Sequence, residues 1–224
     1  VIDRATLADN FRAVEARLAA ACSRAGRPRE QVTLVAVSKL HPPELVRLAF
    51  ELGQRDFGEN YAQELRDKHA ALADCGGLRW HAIGPVQTKN AKYVARAAAF
   101  FHAVDRLEVA QELGRRREGA PLPCFVEVNV GDEASKAGVP LAAAPALVEQ
   151  VRQVPGVALV GLTAMPPLVE DAEANRPHFR AVAQLAKTLG LGQLSMGTTA
   201  DFEVAIEEGA TLVRVGTALF GARG

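Results

Sequence analysis

Eight short apolar runs recur along this chain, each long enough for a strand, with helix-length stretches between them. They cover residues 32–37, 55–57, 79–83, 100–104, 124–130, 157–162, 193–196 and 212–215. In Val32-Thr33-Leu34-Val35-Ala36-Val37 apolar side chains occupy both alternating faces, the pattern of a strand buried on both sides. Strands that alternate regularly with helical patterns read as parallel β/α units. Eight of them close into a barrel, with an open doubly wound sheet as the alternative. A length of 224 residues accommodates one such barrel, whereas two domains would each be small. No linker, low-complexity tract or repeat interrupts the pattern, so residues 1–224 read as a single α/β domain.

Local signals agree. Leu7, Phe11, Val14 and Leu18 recur at helical spacing, predicting an opening helix that ends near Gly26-Arg27-Pro28. Pro42-Pro43 suits the start of a helix over 44–52, and another is predicted over 202–208. Almost half of the residues (49%) are hydrophobic, enough for a sizeable core, and the formal net charge is zero. No basic excess points to nucleic acid. No apolar stretch approaches the ~18–20 residues of a membrane span. Residues 1–26 are rich in Asp, Arg and Glu, which argues against a secretory leader, and a first residue other than Met suggests a missing start. Cys22, Cys75 and Cys124 are far apart and odd in number, which fits a reducing cytoplasm rather than a disulfide framework. The five histidines show no metal-ligand spacing.

The first strand runs into Val37-Ser38-Lys39, and alternation puts Lys39 on the face of Thr33, Val35 and Val37. If that face lines the barrel, Lys39 projects at the carboxyl rim, where barrel enzymes keep their sites. Desolvation there would favour a neutral amine, able to attack an aldehyde and form an imine. A surface lysine closing a strand is the plainer interpretation. At the other end of the chain, Ser195-Met196-Gly197-Thr198-Thr199-Ala200-Asp201 follows the seventh strand, and Gly216-Thr217-Ala218-Leu219-Phe220-Gly221 follows the eighth. Barrels often bind phosphate with these two loops, through glycine-permitted backbone amides. Alternatively the glycines serve tight turns and the threonines cap helices. Arg214 is a charge inside an otherwise apolar strand, so it must be paired structurally or face a ligand acceptor such as a pyridine nitrogen.

Five segments together carry a specific resemblance. These are Val35-Ala36-Val37-Ser38-Lys39, Phe57-Gly58-Glu59-Asn60-Tyr61, Trp80-His81-Ala82-Ile83-Gly84-Pro85-Val86-Gln87, Leu194-Ser195-Met196-Gly197, and the stretch from Val213 to Arg223. In this order, from about Asn10 to the end, the chain resembles the pyridoxal phosphate homeostasis proteins. The resemblance implies a single-domain (β/α)8 TIM barrel of the alanine racemase N-terminal type, without that enzyme's second domain. It implies pyridoxal 5'-phosphate as cofactor, held as a Schiff base on Lys39. Asn60 matches an asparagine of the cofactor pocket, and His81 and Ile83 lie on the strand bordering the ring. Ser195 and Thr199 match hydroxyl positions of the phosphate site, Gly216 and Thr217 its other half, and Arg214 the arginine approaching the pyridine nitrogen. An arginine there keeps that nitrogen unprotonated and the ring a weak electron sink. The chain departs from the family at Ala82, where Phe is usual, at Lys89-Asn90, where Asn-Lys is usual, and at Thr198-Thr199, where Met-Ser is usual. Lys136 resembles part of a further family motif, with a solvated loop lysine as the plainer interpretation.

The implied function is a carrier or buffer of pyridoxal phosphate in cytoplasmic vitamin B6 homeostasis, with pyridoxal-phosphate-dependent apoenzymes as recipients. A monomer is expected, and neither nucleic acid nor a membrane is an expected partner. The alternative is a racemase- or decarboxylase-like enzyme of weak activity. Racemisation needs acid–base groups on both faces of the substrate carbon; Lys39 serves one, and Tyr61 is the tyrosine nearest the rim. A sugar-phosphate aldolase also combines a barrel, a Schiff-base lysine and a phosphate cradle, but a lysine on the first strand together with Arg214 weighs against it.

Overall fold

The computed structural model describes residues 2–131 and 137–221. Its strands are β1 Thr33–Val37, β2 Asp56–Glu59, β3 Arg79–Ala82, β4 Phe100–Val104, β5 Leu122–Asn129, β6 Val139–Pro140, β7 Val157–Ala164, β8 Gln193–Thr198 and β9 Leu212–Val215. All pairings are parallel. They run β4-β3-β2-β1-β9-β8-β7-β5, and β4 pairs with β5 to close the ring. The result is an eight-stranded barrel with the two-residue β6 beside β5, Val128 opposite Val139. Each of the eight expected strands is present, with ends shifted by at most two residues. Only β6 was not anticipated, since Val139-Pro140 is two residues long, contains a proline and merges into the apolar stretch that leads into α6.

Helices follow the strands around the outside. They include α1 Arg4–Arg24, α2 Pro43–Glu51, α3 Ala62–Ala71, α4 Ala91–Ala97, α5 Leu107–Arg116, α6 Ala144–Arg152, α7 Arg176–Thr188, α8 Phe202–Glu207 and α9 Thr217–Phe220. Asp3 caps α1 by accepting from the Thr6 amide. The buried face of α1, with Leu7, Val14 and Leu18, packs on α8 and α9 and ties the start of the chain to its last unit.

The main core lies between strands and helices, where Phe57, Phe101, Phe179 and Phe202 are fully buried. The barrel interior is different. Bulky aliphatic side chains fill most such barrels, but here the apolar interior shrinks to Val35, Phe125 and Leu212, with Phe100 and Val160 packed against them. Asp56, His81, His102, Ser195 and Arg214 take up much of the rest, joined by hydrogen bonds, and all are buried. Burying so many polar groups is stable only when each finds a partner.

Candidate functional site

β1 ends at Val37, two residues earlier than side-chain alternation implies, and Lys39 lies half-buried in the turn that follows, at the carboxyl rim. Leu40 has φ +65°, the left-handed region that a bulky residue avoids unless its surroundings impose it. Val37 and Ile83 approach each other over Gly58. A side-chain carbon there would lie 3.1 Å from Val35, 3.2 Å from Ile83 and 3.4 Å from Val37, so the glycine leaves room for these three. The carbonyl of Asn60 lies 2.3 Å from where a Gly84 side chain would start. The loops after β2 and β3 therefore interlock, and Asn60 has a fixed place on the same rim as Lys39.

The loops after β8 and β9 meet directly. Gly197 has φ +86°, and a side chain there would lie 2.7 Å from Phe202 and Ala205. Asp201 braces the turn by accepting from the Thr198 amide (2.7 Å) and hydroxyl (3.1 Å), and Asn175 donates to its other oxygen (2.9 Å). The Gly216 amide donates to the Thr199 hydroxyl at 3.3 Å. Gly216 also lies against β1, with a side-chain position only 3.2 Å from the Val37 carbonyl. The first amides of α9, those of Thr217 and Ala218, have no partner within their own helix. Thr199, Gly216 and Thr217 thus come together beside the strand that leads to Lys39.

Ser195 and His81 depart from their expected roles. The Ser195 side chain points into the barrel rather than the cradle, where its oxygen accepts from Arg214 Nη1 (2.6 Å) and pairs with His102 Nδ1 (2.9 Å). His81 is on the expected strand but one inward-facing level below Ile83, fully buried, with both ring nitrogens engaged. Nε2 meets Asp56 at 2.9 Å and Nδ1 meets His102 Nε2 at 2.9 Å. Asp56 in turn pairs with Arg79 at the amino-terminal mouth, beside a cavity of about 300 Å³ that Thr33, His81 and Leu212 also line.

These contacts form a string along the barrel axis whose direction is fixed. Burial depresses both imidazoles below their ordinary value, so both are neutral, His102 more strongly. Burial pushes against ionisation of Asp56, yet hydrogen bonds from His81 and Arg79 hold its carboxyl below the usual range. Neutral His81 must then donate from Nε2 to this carboxylate, which leaves Nδ1 to accept from His102. His102 accepts from the Ser195 hydroxyl, and Ser195 accepts from Arg214. Arg214 also donates to the carbonyls of Ser195 (2.7 Å) and Ala164 (3.3 Å) and points a further N–H at Met165 Sδ (3.8 Å), which brings its guanidinium to the carboxyl end of β7. Its predicted need for partners is met mainly by neutral acceptors, and burial lowers its pKa despite attraction to Glu127 and Asp201.

Sequence reasoning missed Asp56, His102 and Glu127. Glu127 is buried with its carboxyl pushed up to about 7 by desolvation, and its Oε2 has no partner; nor has the Thr163 hydroxyl on the adjoining strand. His102 and Glu127 interrupt apolar strands as Arg214 does, and the argument applied to Arg214 would have found them; Asp56, within Arg55-Asp56-Phe57-Gly58-Glu59, gave no such signal. Ala82 is buried on the outer face of β3, within the strand–helix core, so this departure lies away from the rim. Lys89 and Thr198 are exposed. Lys136 lies outside the described residues. No cluster of possible metal ligands occurs among the described residues, and no helix there is long and apolar enough to cross a membrane.

A closed parallel barrel with a lysine past its first strand and glycine loops after its last two defines a class, and the sequence profile of the alanine racemase N-terminal domain matches residues 2–224. A pyridoxal phosphate homeostasis protein of Pseudomonas aeruginosa is 46% identical over 222 residues, spanning 97% of this chain and 96% of that one. The chain belongs to the pyridoxal phosphate homeostasis protein family. Among solved structures, an unknown protein from Bifidobacterium adolescentis superposes with a TM-score of 0.90 at 31% identity, covering 98% of both chains. PipY of Synechococcus elongatus, solved with pyridoxal phosphate bound, gives a TM-score of 0.81 at 32% identity, covering 96% of this chain and 100% of its own.

Proposed function

We propose that this chain binds pyridoxal 5'-phosphate as a Schiff base on Lys39 and serves to hold and pass on the cofactor. The observation that supports this reading is the contact between Gly216 and Val37, which brings the glycine-threonine loop after β9 against the strand leading to Lys39. The cofactor supplies an aldehyde, a phosphate and a pyridine nitrogen. Lys39 would supply the amine that condenses with the aldehyde, releasing one water. Thr199, Gly216 and the opening amides of α9 would hold the phosphate, Asn60 and Ile83 would line the ring, and Arg214 would meet its nitrogen. Unpartnered Glu127 Oε2 and Thr163 Oγ1 in the same interior fit a polar ligand better than an empty apolar barrel.

Relatives of this chain are named homeostasis proteins rather than enzymes, and the Arg214 environment supports storage over turnover. A donor-only guanidinium cannot protonate the ring nitrogen, so carbanion chemistry gains little from it. Pyridoxal-phosphate-dependent apoenzymes are the proposed recipients, and the protein acts as a monomer. Its cysteines are all buried and free, which suits the reducing cytoplasm. Tyr61, 54% exposed at the start of α3, is the group to watch for residual racemase activity. Hydride reduction of the loaded protein followed by peptide mapping tests the site. A phosphopyridoxyl group on Lys39 is expected, and one on another lysine overturns the assignment. Incubation with L-amino acids should yield no rapid formation of D-enantiomers.

A further inference from the structure

The backbone on both sides of Lys39 is clamped by a buried charged cluster between β2 and α3. The Lys68 ammonium has three donors and meets three acceptors, Ser38 O at 2.7 Å, Glu59 Oε1 at 2.7 Å and Glu64 Oε1 at 2.8 Å. The Ser38 hydroxyl donates to the same Glu59 oxygen at 2.6 Å, and the Ser38 amide donates to Gly58 O at 3.0 Å. On the far side of Lys39, the Leu40 amide donates to Glu64 Oε1 at 2.6 Å. Ser38, Glu59 and Lys68 are buried to 3% exposure or less, and the Glu64 side chain is 20% exposed.

A surface lysine closing a strand needs none of this. Taking two carboxylates and an ammonium out of water costs several kcal/mol per ion, and hydrophobic packing of similar volume is often as stable. What the cluster provides is position. Its Lys68 ammonium donates to the Ser38 carbonyl, which also accepts from the His41 amide at 3.0 Å, and its carboxylates accept from the Ser38 hydroxyl and the Leu40 N–H, so it braces the turn in which Leu40 is left-handed. None of these side chains need touch a ligand. We propose that Glu59, Lys68 and Glu64 are positioning residues that preorganise the Lys39 turn for covalent capture of the aldehyde, a role that rests on the reading of Lys39 given above.

Pyridoxal 5'-phosphate and pyridoxine 5'-phosphate separate position from affinity, because the second has the phosphate and ring but no aldehyde. In Glu64→Ala, capture of pyridoxal phosphate, read from the visible absorption of the Schiff base and from hydride trapping at Lys39, should weaken about tenfold. Its affinity for pyridoxine phosphate should stay within about twofold of the parent. Glu64→Gln keeps an acceptor for the Leu40 amide and should recover most of the loss. Unchanged capture in Glu64→Ala, or an equal loss for both ligands, overturns the positioning role. Lys68→Met is the more direct variant but risks misfolding, and the partly exposed Glu64 keeps the test available. If the parent protein itself traps no adduct at Lys39, the cofactor reading fails; if it does and Glu64→Ala matches it, only the positioning role fails.

Discussion

Two buried polar systems support the carboxyl rim, and they are built on opposite plans. Outside the barrel wall, Glu59, Lys68 and Glu64 place three ionisable groups in direct contact beneath Lys39. Inside, the string from Asp56 to Arg214 keeps its charges at the ends and neutral groups between them. The first fixes a backbone turn through ionic contacts. The second fixes a guanidinium through the tautomers of two imidazoles, and those tautomers exist only while both rings are neutral. One support is therefore vulnerable to losing a partner, and the other to acid.

The sharpest way to break the outer system is Lys68→Met, which strands the buried Glu59 carboxylate and the partly exposed Glu64. A loss of about 3–5 kcal/mol is expected in chemical denaturation. Adding Glu59→Gln to that variant should recover part of it, because Glu59 is the more deeply buried carboxylate and burial already raises its pKa.

The inner system should answer to pH, with two opposing contributions. The Glu127 carboxyl sits at about 7 in the fold, above its ordinary 4.5. The unfolded chain releases that proton first, so this group's stability contribution is complete at low pH. It declines as pH rises from about 4.5 to about 7, by about 3 kcal/mol. His81 and His102 have folded values below 6.5, so the unfolded chain takes up protons first. Their contribution is complete above about pH 6.5 and declines as pH falls below it. Glu59 in the outer cluster is raised to about 7 by the same cause, desolvation, and titrates in the same window. The Glu127 contribution is therefore read from the difference between the parent and a variant without that carboxyl. Glu127→Gln should stabilise the ligand-free protein at pH 8 by up to about 3 kcal/mol while leaving pH 5 little changed. A denaturation series that shows the same pH 8 to pH 5 difference in both proteins contradicts this assignment.

His102→Phe makes a smaller, more selective cut. The ring stacks on Phe125 with centroids 4.4 Å apart, so a phenyl group keeps the packing. It strands Ser195 Oγ and His81 Nδ1, at about 1–3 kcal/mol near pH 7.5. The deficit should shrink below pH 6.5, since the variant has one imidazole fewer to protonate on unfolding. A deficit that grows in acid would mean that His102 is charged in the fold.

How far these two systems were legible in the sequence depends on contact range. Strands such as β1 and β9 were legible because buried parallel strands carry continuous apolar runs. Arg214 was legible because a charge inside such a run demands a partner. Its partner was not, since Ser195 matched a phosphate-site hydroxyl, and the His102 that it meets inside the barrel lies 93 residues away and comes into reach only once β4–β5 pairing closes the ring. Lys68 was hidden for a local reason. It lies on the face of α3 defined by Ala62 and Leu65, and a lone lysine on a short helix looks solvated until the acceptors on β2 and the Lys39 turn are in place. The turn itself was read as strand, because alternation gives no sign of a left-handed Leu40.

The smallest effect tests whether the two ends of the proposed cofactor site are mechanically joined. Gly216 has φ −120° and ψ −76°, outside the left-handed region but beyond the main helical basin, so Gly216→Ala carries a modest backbone cost. Its new methyl would lie 3.2 Å from the Val37 carbonyl and 3.4 Å from Val37 Cβ, and must push β1 and the α9 loop apart by a few tenths of an ångström. Stability should fall by about 1 kcal/mol. Pyridoxine phosphate affinity should fall a few-fold as the cradle amides move, by roughly 1 kcal/mol. Capture of pyridoxal phosphate should fall further than that, because the same displacement acts on the strand leading to Lys39. Equal losses for the two ligands would show that the cradle yields alone, and that the outer cluster holds the Lys39 turn regardless of what moves across the rim.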